Sequence, residues 1–188
     1  FRKALELEHR LDRYCKAIAN GKTKAIDIGM FRYRNNAGED DECYFVNILS
    51  VGMGGLVDRY VAEESRALGG TFAYLKSSVR ALVKSEIGIL DCTITLDGVS
   101  QEIELHTRQL AICNGRFFGS GMEVAPMAKV DDGIFEIVSL GDAPRARFMF
   151  ESLSIYSGSH IGKPGVETFR CEKIELSLRN DSIREDFP

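Results

Sequence analysis

No stretch of this sequence approaches the run of about 18 apolar residues that a membrane-spanning helix needs, so no span is expected. Cysteine is sparse. Cys15, Cys43, Cys92, Cys113 and Cys171 are odd in number, and no two have Cys-x-x-Cys spacing. That argues against a zinc ribbon or a disulfide framework and suits buried thiols in a reducing cytosol. His9, His106 and His160 stand far apart, so no metal-type histidine pair exists. His106 falls in a strand pattern and reads as a satisfied or exposed strand histidine. Ser50, Ser120 and Ser154 have no nucleophile elbow around them. Positive charge is in deficit, with 24 Lys and Arg against 28 Asp and Glu and a formal net charge of -4. Such a chain has no global attraction for nucleic acid, which is excluded as an expected partner. No secretory leader is recognisable, since charged residues interrupt Phe1-Arg2-Lys3-Ala4 at once. The chain opens on Phe rather than Met, and the expectation is a processed product or a piece of a longer protein.

What remains is a sequence of 188 residues, 44% hydrophobic and 28% charged, enough for one well-buried core. Ala4, Leu7, Leu11, Tyr14 and Ile18 repeat at helical spacing, and Asn20-Gly21 supplies a helix end. Lys24 to Tyr33 reads as a strand. Residues 35–41 form a polar hairpin tip, and Tyr44 to Leu49 returns as a continuous apolar strand. A short helix is expected over Leu56 to Glu64, broken at Gly69-Gly70. A second runs from Thr71, with Phe72, Leu75, Val79, Leu82 and Val83 on its apolar side. After Gly88 the period becomes two. Ile89 to Leu96 and Val99 to Leu105 flank Asp97-Gly98, a type I′ hairpin signal. Further strands are expected over Arg108 to Cys113, Gly133 to Leu140, and on either side of Glu172-Lys173. A helix is expected over Ala143 to Ile155, where Arg145 and Arg147 read as its solvated start. The fold class is therefore mainly β with inserted helices (α+β): an antiparallel sandwich of two sheets.

Three glycine-rich places draw attention. Gly52-Met53-Gly54-Gly55 follows a strand and precedes a helix, where phosphates often bind. It carries no Lys-Ser or Lys-Thr after the glycines and no third glycine at the dinucleotide spacing, so a closely packed turn is the plainer reading. Asn114-Gly115-Arg116-Phe117-Phe118-Gly119-Ser120-Gly121-Met122 presses backbone against a neighbour or a ligand, with Phe117 and Phe118 read first as core plugs. Asp131-Asp132-Gly133 can hold a hard cation or simply open a strand as an Asp-Gly turn.

The order of these pieces carries a resemblance. Phe45-Val46-Asn47-Ile48-Leu49-Ser50-Val51-Gly52 is similar to the opening of the second domain of diacylglycerol kinase-like and sphingosine kinase-like lipid kinases. Leu68 to Leu75 resembles the helix start that follows it there. Asn114 to Met122, continued through Pro126, Ala128, Asp132 and Gly133, resembles the family's C-terminal signature. Residues 20–29 resemble the link between its two domains. The implied division is 1–22 as helix and linker from a nucleotide-binding domain, and 23–188 as the lipid-binding β-sandwich.

The resemblance implies an ATP-dependent lipid kinase, with diacylglycerol the first acceptor to consider. ATP is the co-substrate, held mainly by the other domain. The family's Mg2+ maps onto the Asp132 carboxylate and the carbonyls of Lys129 and Ile134. Asn47, Gly52, Asn114, Phe117 and Phe118 become substrate-binding or domain-junction residues, the acyl chains lying in an apolar cleft beside the phenylalanines. Neither the ATP-binding Gly-Gly-Asp-Gly-Thr nor the Asp-Gly-Glu that holds the general base occurs here. No catalytic residue is therefore expected in this chain, and alone it should be inactive. The implied location is cytoplasmic, in peripheral contact with the inner membrane face. The alternative is a non-catalytic lipid- or ligand-binding sandwich, and a third reading is a regulatory or oligomerisation domain whose sandwich faces pair with another chain, as in a homodimer. NAD kinases share the two-domain plan, but their C-terminal pattern is not seen.

Overall fold

The computed structural model describes residues 3, 5, 10–21, 23–63, 70–119, 121–141 and 143–179. In chain order the elements are α1 (Leu11–Ala19), β1 (Gly29–Arg34), β2 (Asp40–Phe45), β3 (Ile48–Gly52), α2 (Met53–Glu63) and α3 (Gly70–Lys84). Then come β4 (Gly88–Leu96), β5 (Val99–Thr107), β6 (Gln109–Cys113), β7 (Phe117–Phe118), β8 (Met122–Glu123) and β9 (Phe135–Leu140). After these follow α4 (Arg145–Ser152), a 3-10 segment over Leu153–Ser157, β10 (Val166–Cys171) and β11 (Lys173–Leu178).

Strict alternation builds the sandwich. Along β4, Leu90, Cys92 and Ile94 turn inward while their neighbours stay half-exposed. β4 sits between β11 and β5 in a three-stranded antiparallel sheet. The facing sheet has the order β10-β9-β6-β3, also antiparallel. Leu110, Ile112, Ile137 and Cys171 from this sheet pack against Leu90, Cys92, Ile94 and Leu105 from the other. The two-sheet reading holds, and the pairing tip is as expected: Asp97 and Gly98 both adopt positive φ, 51° and 74°.

The second face of the four-stranded sheet is covered too. Ala111, Cys113, Val138 and Leu140 lie under Val124, Ala125, Ala128, Leu82, Phe148 and Ile155. All five residues of β6 are consequently buried, which explains why that strand reads as an unbroken apolar run rather than an alternating one. Burial pushes the Cys92 and Cys171 thiols up to about 11 and Cys113 higher still. These are inert packing groups.

Several expectations shift. Helix α1 begins at Leu11; Ala4 and Leu7 lie outside the described residues. The strand expected from Tyr44 to Leu49 is cut at Val46-Asn47, where the chain bends out of the β1–β2 hairpin into the sandwich. Helix α2 starts earlier than expected, taking in Gly54 and Gly55. In α3 the expected side holds at Leu82 and fails at Val79 and Val83, while the side chains of Phe72 and Leu75 lie outside the described ones. Ala73, Ser77, Ala81 and Leu82 are inside, whereas Val79 and Val83 are 43% and 61% exposed. Small residues let α3 lie close to α2, and the Arg80 guanidinium stacks 3.9 Å over the Tyr60 ring. The last expected helix tightens to 3-10 after Ser152. Arg145 does more than start it. Its guanidinium donates to the carbonyls of Leu82 (3.2 Å) and Ser85 (2.9 Å), joining Arg108 in satisfying the C-terminal end of α3.

His160 is 1% exposed beneath α4, and its Nε2 lies 2.9 Å from the Val124 carbonyl. That partner assigns the proton to Nε2 and leaves Nδ1 buried without a partner among the described residues. Burial lowers the pKa of this ring, outweighing the Val124 bond. A histidine with a depressed folded-state pKa leaves the unfolded chain binding more protons as pH falls, so stability drops on acidification. Melting temperature should decline from about pH 6.5 downward, and His160→Gln should flatten that decline. An equally steep decline in the variant would assign it to other groups.

Candidate functional site

Asn114 immediately follows β6, with its side chain fully buried. Its amide nitrogen donates to the carbonyl of Asp27 at 2.9 Å and that of Val46 at 3.0 Å. Its backbone N–H and that of Gly115 both donate to the Asn47 carbonyl, at 2.9 and 3.0 Å. Asn47 in turn donates its side-chain amide to the Phe117 carbonyl at 2.9 Å. Asp27 extends the chain of bonds: its N–H reaches the Val130 carbonyl (2.7 Å), and its Oδ2 accepts from the Gly133 N–H at 2.8 Å. Residues 27, 46–47, 114–117 and 130–133 thus meet at one end of the sandwich. Three of the four stretches singled out in the sequence contribute to it directly.

Two acceptors at this junction are orphaned. The Oδ1 atoms of Asn47 and Asn114 are buried and have no hydrogen-bond partner among the described residues. Because both amide nitrogens are committed to carbonyls, exchanging O and N would set oxygen against oxygen. Each orphan is a place for a water or a ligand donor.

The glycine-rich loop beyond the junction folds back as a small hairpin, with Phe117 opposite Glu123 and Phe118 opposite Met122. Phe118 packs on the cluster beneath, as a plug does. The Phe117 ring instead faces the Lys3 ammonium, 5.2 Å from its centroid. Ser120 lies outside the described residues. Nearby, Lys24, Arg116, Lys129 and Asp131 line a polar cleft of about 210 Å³ together with Leu5, Ala128 and Val130. Arg116 is fixed by a 3.0 Å bond to the Ala128 carbonyl, and Lys24 pairs with Asp131 at 3.0 Å. Arg116 and Asp27 were not singled out as site residues. Asp27 stood within the quoted link segment, but nothing marked its backbone as a bridge.

Gly52 stands apart from this junction. Its φ is +95°, and a Cβ there would lie 2.6 Å from the Arg108 carbonyl oxygen. A Cβ on Gly54 would meet the Ser50 hydroxyl at 2.1 Å. The first glycine stretch is therefore a close-packed turn from β3 into α2. His106 is exposed and bonded to Glu104 at 2.8 Å, as its strand position suggested. The apolar cavity under α4, lined by Leu140, Phe148, Ile155 and His160 among others, holds about 20 Å³ and is too small for an acyl chain.

The expected Mg2+ ligands occupy one turn. Asp132 Oδ1 accepts from the Ile134 N–H at 3.2 Å, while Oδ2 is 3.8 Å from the Arg170 guanidinium, beyond hydrogen-bond length. Arg170 is drawn off by Glu136 at 3.1 Å. Burial raises the pKa of Glu136, an effect Arg170 partly offsets. Among the described residues no three His, Cys, Asp or Glu side chains gather to hold a metal. A cation here would need backbone oxygens beside Asp132, which is the composition expected for Lys129 and Ile134. The donors are hard and the carboxylate has free acceptor capacity, so these residues fit magnesium.

The family model for the YegS C-terminal NAD kinase beta sandwich-like domain matches residues 47–185. The chain belongs to this family. Its junction residues Asn47, Asn114 and Asp132 all fall within the matched span. The diacylglycerol kinase of Mycobacterium tuberculosis, in strains CDC 1551 / Oshkosh and ATCC 25618 / H37Rv, is 25% identical over 170 residues. That alignment takes in 90% of this chain and 52% of the relative. The chain therefore spans about half the length of the curated relatives it matches. Its fold resembles that of a diacylglycerol kinase from Bacillus anthracis str. Sterne, with TM-score 0.56, 16% identity and coverage of 96% and 52%. A second structure from the same organism, of a protein proposed to be a diacylglycerol kinase, superposes with TM-score 0.63 at 20% identity, covering 96% and 54%.

Proposed function

We propose that this chain is the acceptor-side domain of an ATP-dependent lipid kinase, with diacylglycerol as the first candidate acceptor. The observation that carries the reading is the junction: the segments that resemble the lipid-kinase signatures, far apart in sequence, are tied together through Asn47, Asp27 and Asn114. The M. tuberculosis relative named diacylglycerol kinase supports it across most of the chain.

In this reading the lipid hydroxyl oxygen attacks the γ-phosphorus of ATP, the bond to the bridging oxygen breaks, and ADP departs. Such transfer depends on positioning and charge neutralisation rather than on covalent participation by the protein. Lys24, Arg116 and Lys129 in the polar cleft supply positive charge suited to a phosphate-bearing partner. The nucleotide cradle and the general base come from outside these 188 residues. Magnesium, when bound at Asp132 with the carbonyls of Lys129 and Ile134, would brace the turn that Asp27 already holds.

Two measurements test this. The full-length gene product should convert diacylglycerol to its phosphorylated form with ATP and Mg2+, whereas the 188-residue chain should give no turnover. Robust phosphorylation by the short chain, or none of any lipid by the long one, would sink the reading; the latter with ATP-independent lipid binding would favour a binding module. Separately, Mg2+ should raise the melting temperature of the 188-residue chain, and Asp132→Asn should abolish that rise. No response in the parent chain would remove the ion from this turn.

A further inference from the structure

Asparagine followed by glycine occurs at two places in the chain, Asn20-Gly21 and Asn114-Gly115. The pair is chemically labile, because glycine has no side chain to keep its amide nitrogen away from the neighbouring carboxamide carbon. The glycine nitrogen gives up its proton and bonds to the asparagine Cγ. The Cγ–Nδ2 bond breaks, and ammonia leaves with that proton. Water then opens the cyclic imide at either of its two carbonyls, giving aspartate or isoaspartate. Water is the only co-reactant.

The fold gives the two copies opposite surroundings. Asn20 caps the C-terminal end of α1, and both it and Gly21 are exposed. The Asn20 side chain makes no hydrogen bond among the described residues. A Cβ built on Gly21 would meet nothing within 4 Å, so the approach to its nitrogen is open. The Gly21 N–H donates to the Ile18 carbonyl at 3.1 Å, in the last turn, where helices fray. Helix α1 has no buried residue to hold that turn. Asn114, by contrast, is fully buried, with its Nδ2 committed to the Asp27 and Val46 carbonyls. The Gly115 nitrogen is engaged as well, donating to the Asn47 carbonyl at 3.0 Å. Closing the ring at Asn114 would break all three of these bonds inside the junction.

We propose that Asn20 is a site of spontaneous deamidation, and that the fold protects Asn114, in the same dipeptide, from the same reaction. The product sets a carboxylate beside the last carbonyls of α1, whose partial negative charge it opposes, so that turn loosens. The isoaspartate form also lengthens the backbone by one methylene ahead of the segment that leads to Asp27. Neither product disturbs a buried side chain of α1, since there is none, and the sandwich keeps its stability. Modified chains therefore accumulate in the folded state. The inference is independent of the lipid-kinase reading, because the reaction needs neither nucleotide, metal nor lipid.

The test is peptide mapping by mass spectrometry of the 188-residue chain aged in mildly alkaline buffer, folded or in strong denaturant. In the folded chain the peptide holding Asn20 should convert to aspartate and isoaspartate at least about tenfold faster than the peptide holding Asn114. Denaturant should bring the Asn114 rate up to that of Asn20. Raising the pH should speed conversion at Asn20, because the Gly21 nitrogen must lose its proton. Asn20→Gln should stop conversion at that position, since glutamine would have to close a larger ring. The aged chain, and the variant Asn20→Asp, should melt at the temperature of the fresh parent. Asn20 intact in the folded chain but converted in denaturant would overturn the proposal, because the end of α1 would then be what holds it. Asn114 converting as fast as Asn20 in the folded chain would overturn it equally. A marked fall in the melting temperature of Asn20→Asp would contradict the tolerance of the sandwich to this change.

Discussion

One buried side-chain amide ties the candidate site to the fold. Asn114 donates to two carbonyls from segments 87 and 68 residues earlier in the chain. A hydrophobic residue of the same size would fill the space but leave the Asp27 and Val46 carbonyls without these donors, and buried unpaired carbonyls cost about 1–3 kcal/mol each. The bond to Asp27 matters further, because that residue carries the 130–133 turn on its backbone N–H and its carboxylate. Holding Asn114 therefore places the 130–133 turn indirectly, through a segment that is not itself part of any regular element.

The sandwich supplies the rigidity this arrangement needs. Strand β6 pairs on both sides, with β3 through Leu49↔Ile112 and with β9 through Ile112↔Ile137, and it is covered on both faces. Asn114 immediately follows that strand, so the least movable part of the molecule ends at the junction. On the outer face the α3–α4 layer is pinned by Arg108 and Arg145 together with the apolar contacts of Leu82, Phe148 and Ile155 on the sheet. Polar clamps at a helix end leave Met149 and Phe150 of α4 exposed.

Much of the fold was legible from period alone. Alternation along residues 89–96 and the Asp97-Gly98 pair gave the central hairpin, because two positive φ angles permit few other outcomes. The unbroken run over 109–113 marked a strand, but only the structure shows that helices and a loop cover its second face. The α3 pattern misled at Val79 and Val83 for a physical reason. Val79 and Val83 fit the helical period, yet close packing on α2 selected Ala73, Ser77 and Ala81 for the interior beside Leu82, so period and bulk together did not fix the buried side. At the site, Asn47, Asn114 and Asp132 were visible through motif resemblance. Asp27 was not, since it acts through backbone and carboxylate bonds to residues about a hundred positions away, and no local pattern encodes such a pairing. Val46-Asn47 likewise looked like the middle of a strand. The bend there exists to bring Asn47 to the loop, a tertiary requirement that overrides local β propensity.

The central claim is that residues 27, 47, 114–117 and 130–133 form one mechanical unit. Native-state hydrogen exchange on the amides of Asp27, Asn114, Gly115 and Gly133 tests it most directly. If the junction opens as a unit, all four should exchange with a common opening free energy, and Asn114→Ala should lower the protection of Asp27 and Gly133 along with that of Gly115. If Asp27 and Gly133 exchange far faster than Asn114 and Gly115 in the parent chain, and are indifferent to the substitution, the turn at Asp132 is not held by Asn114 and the account fails.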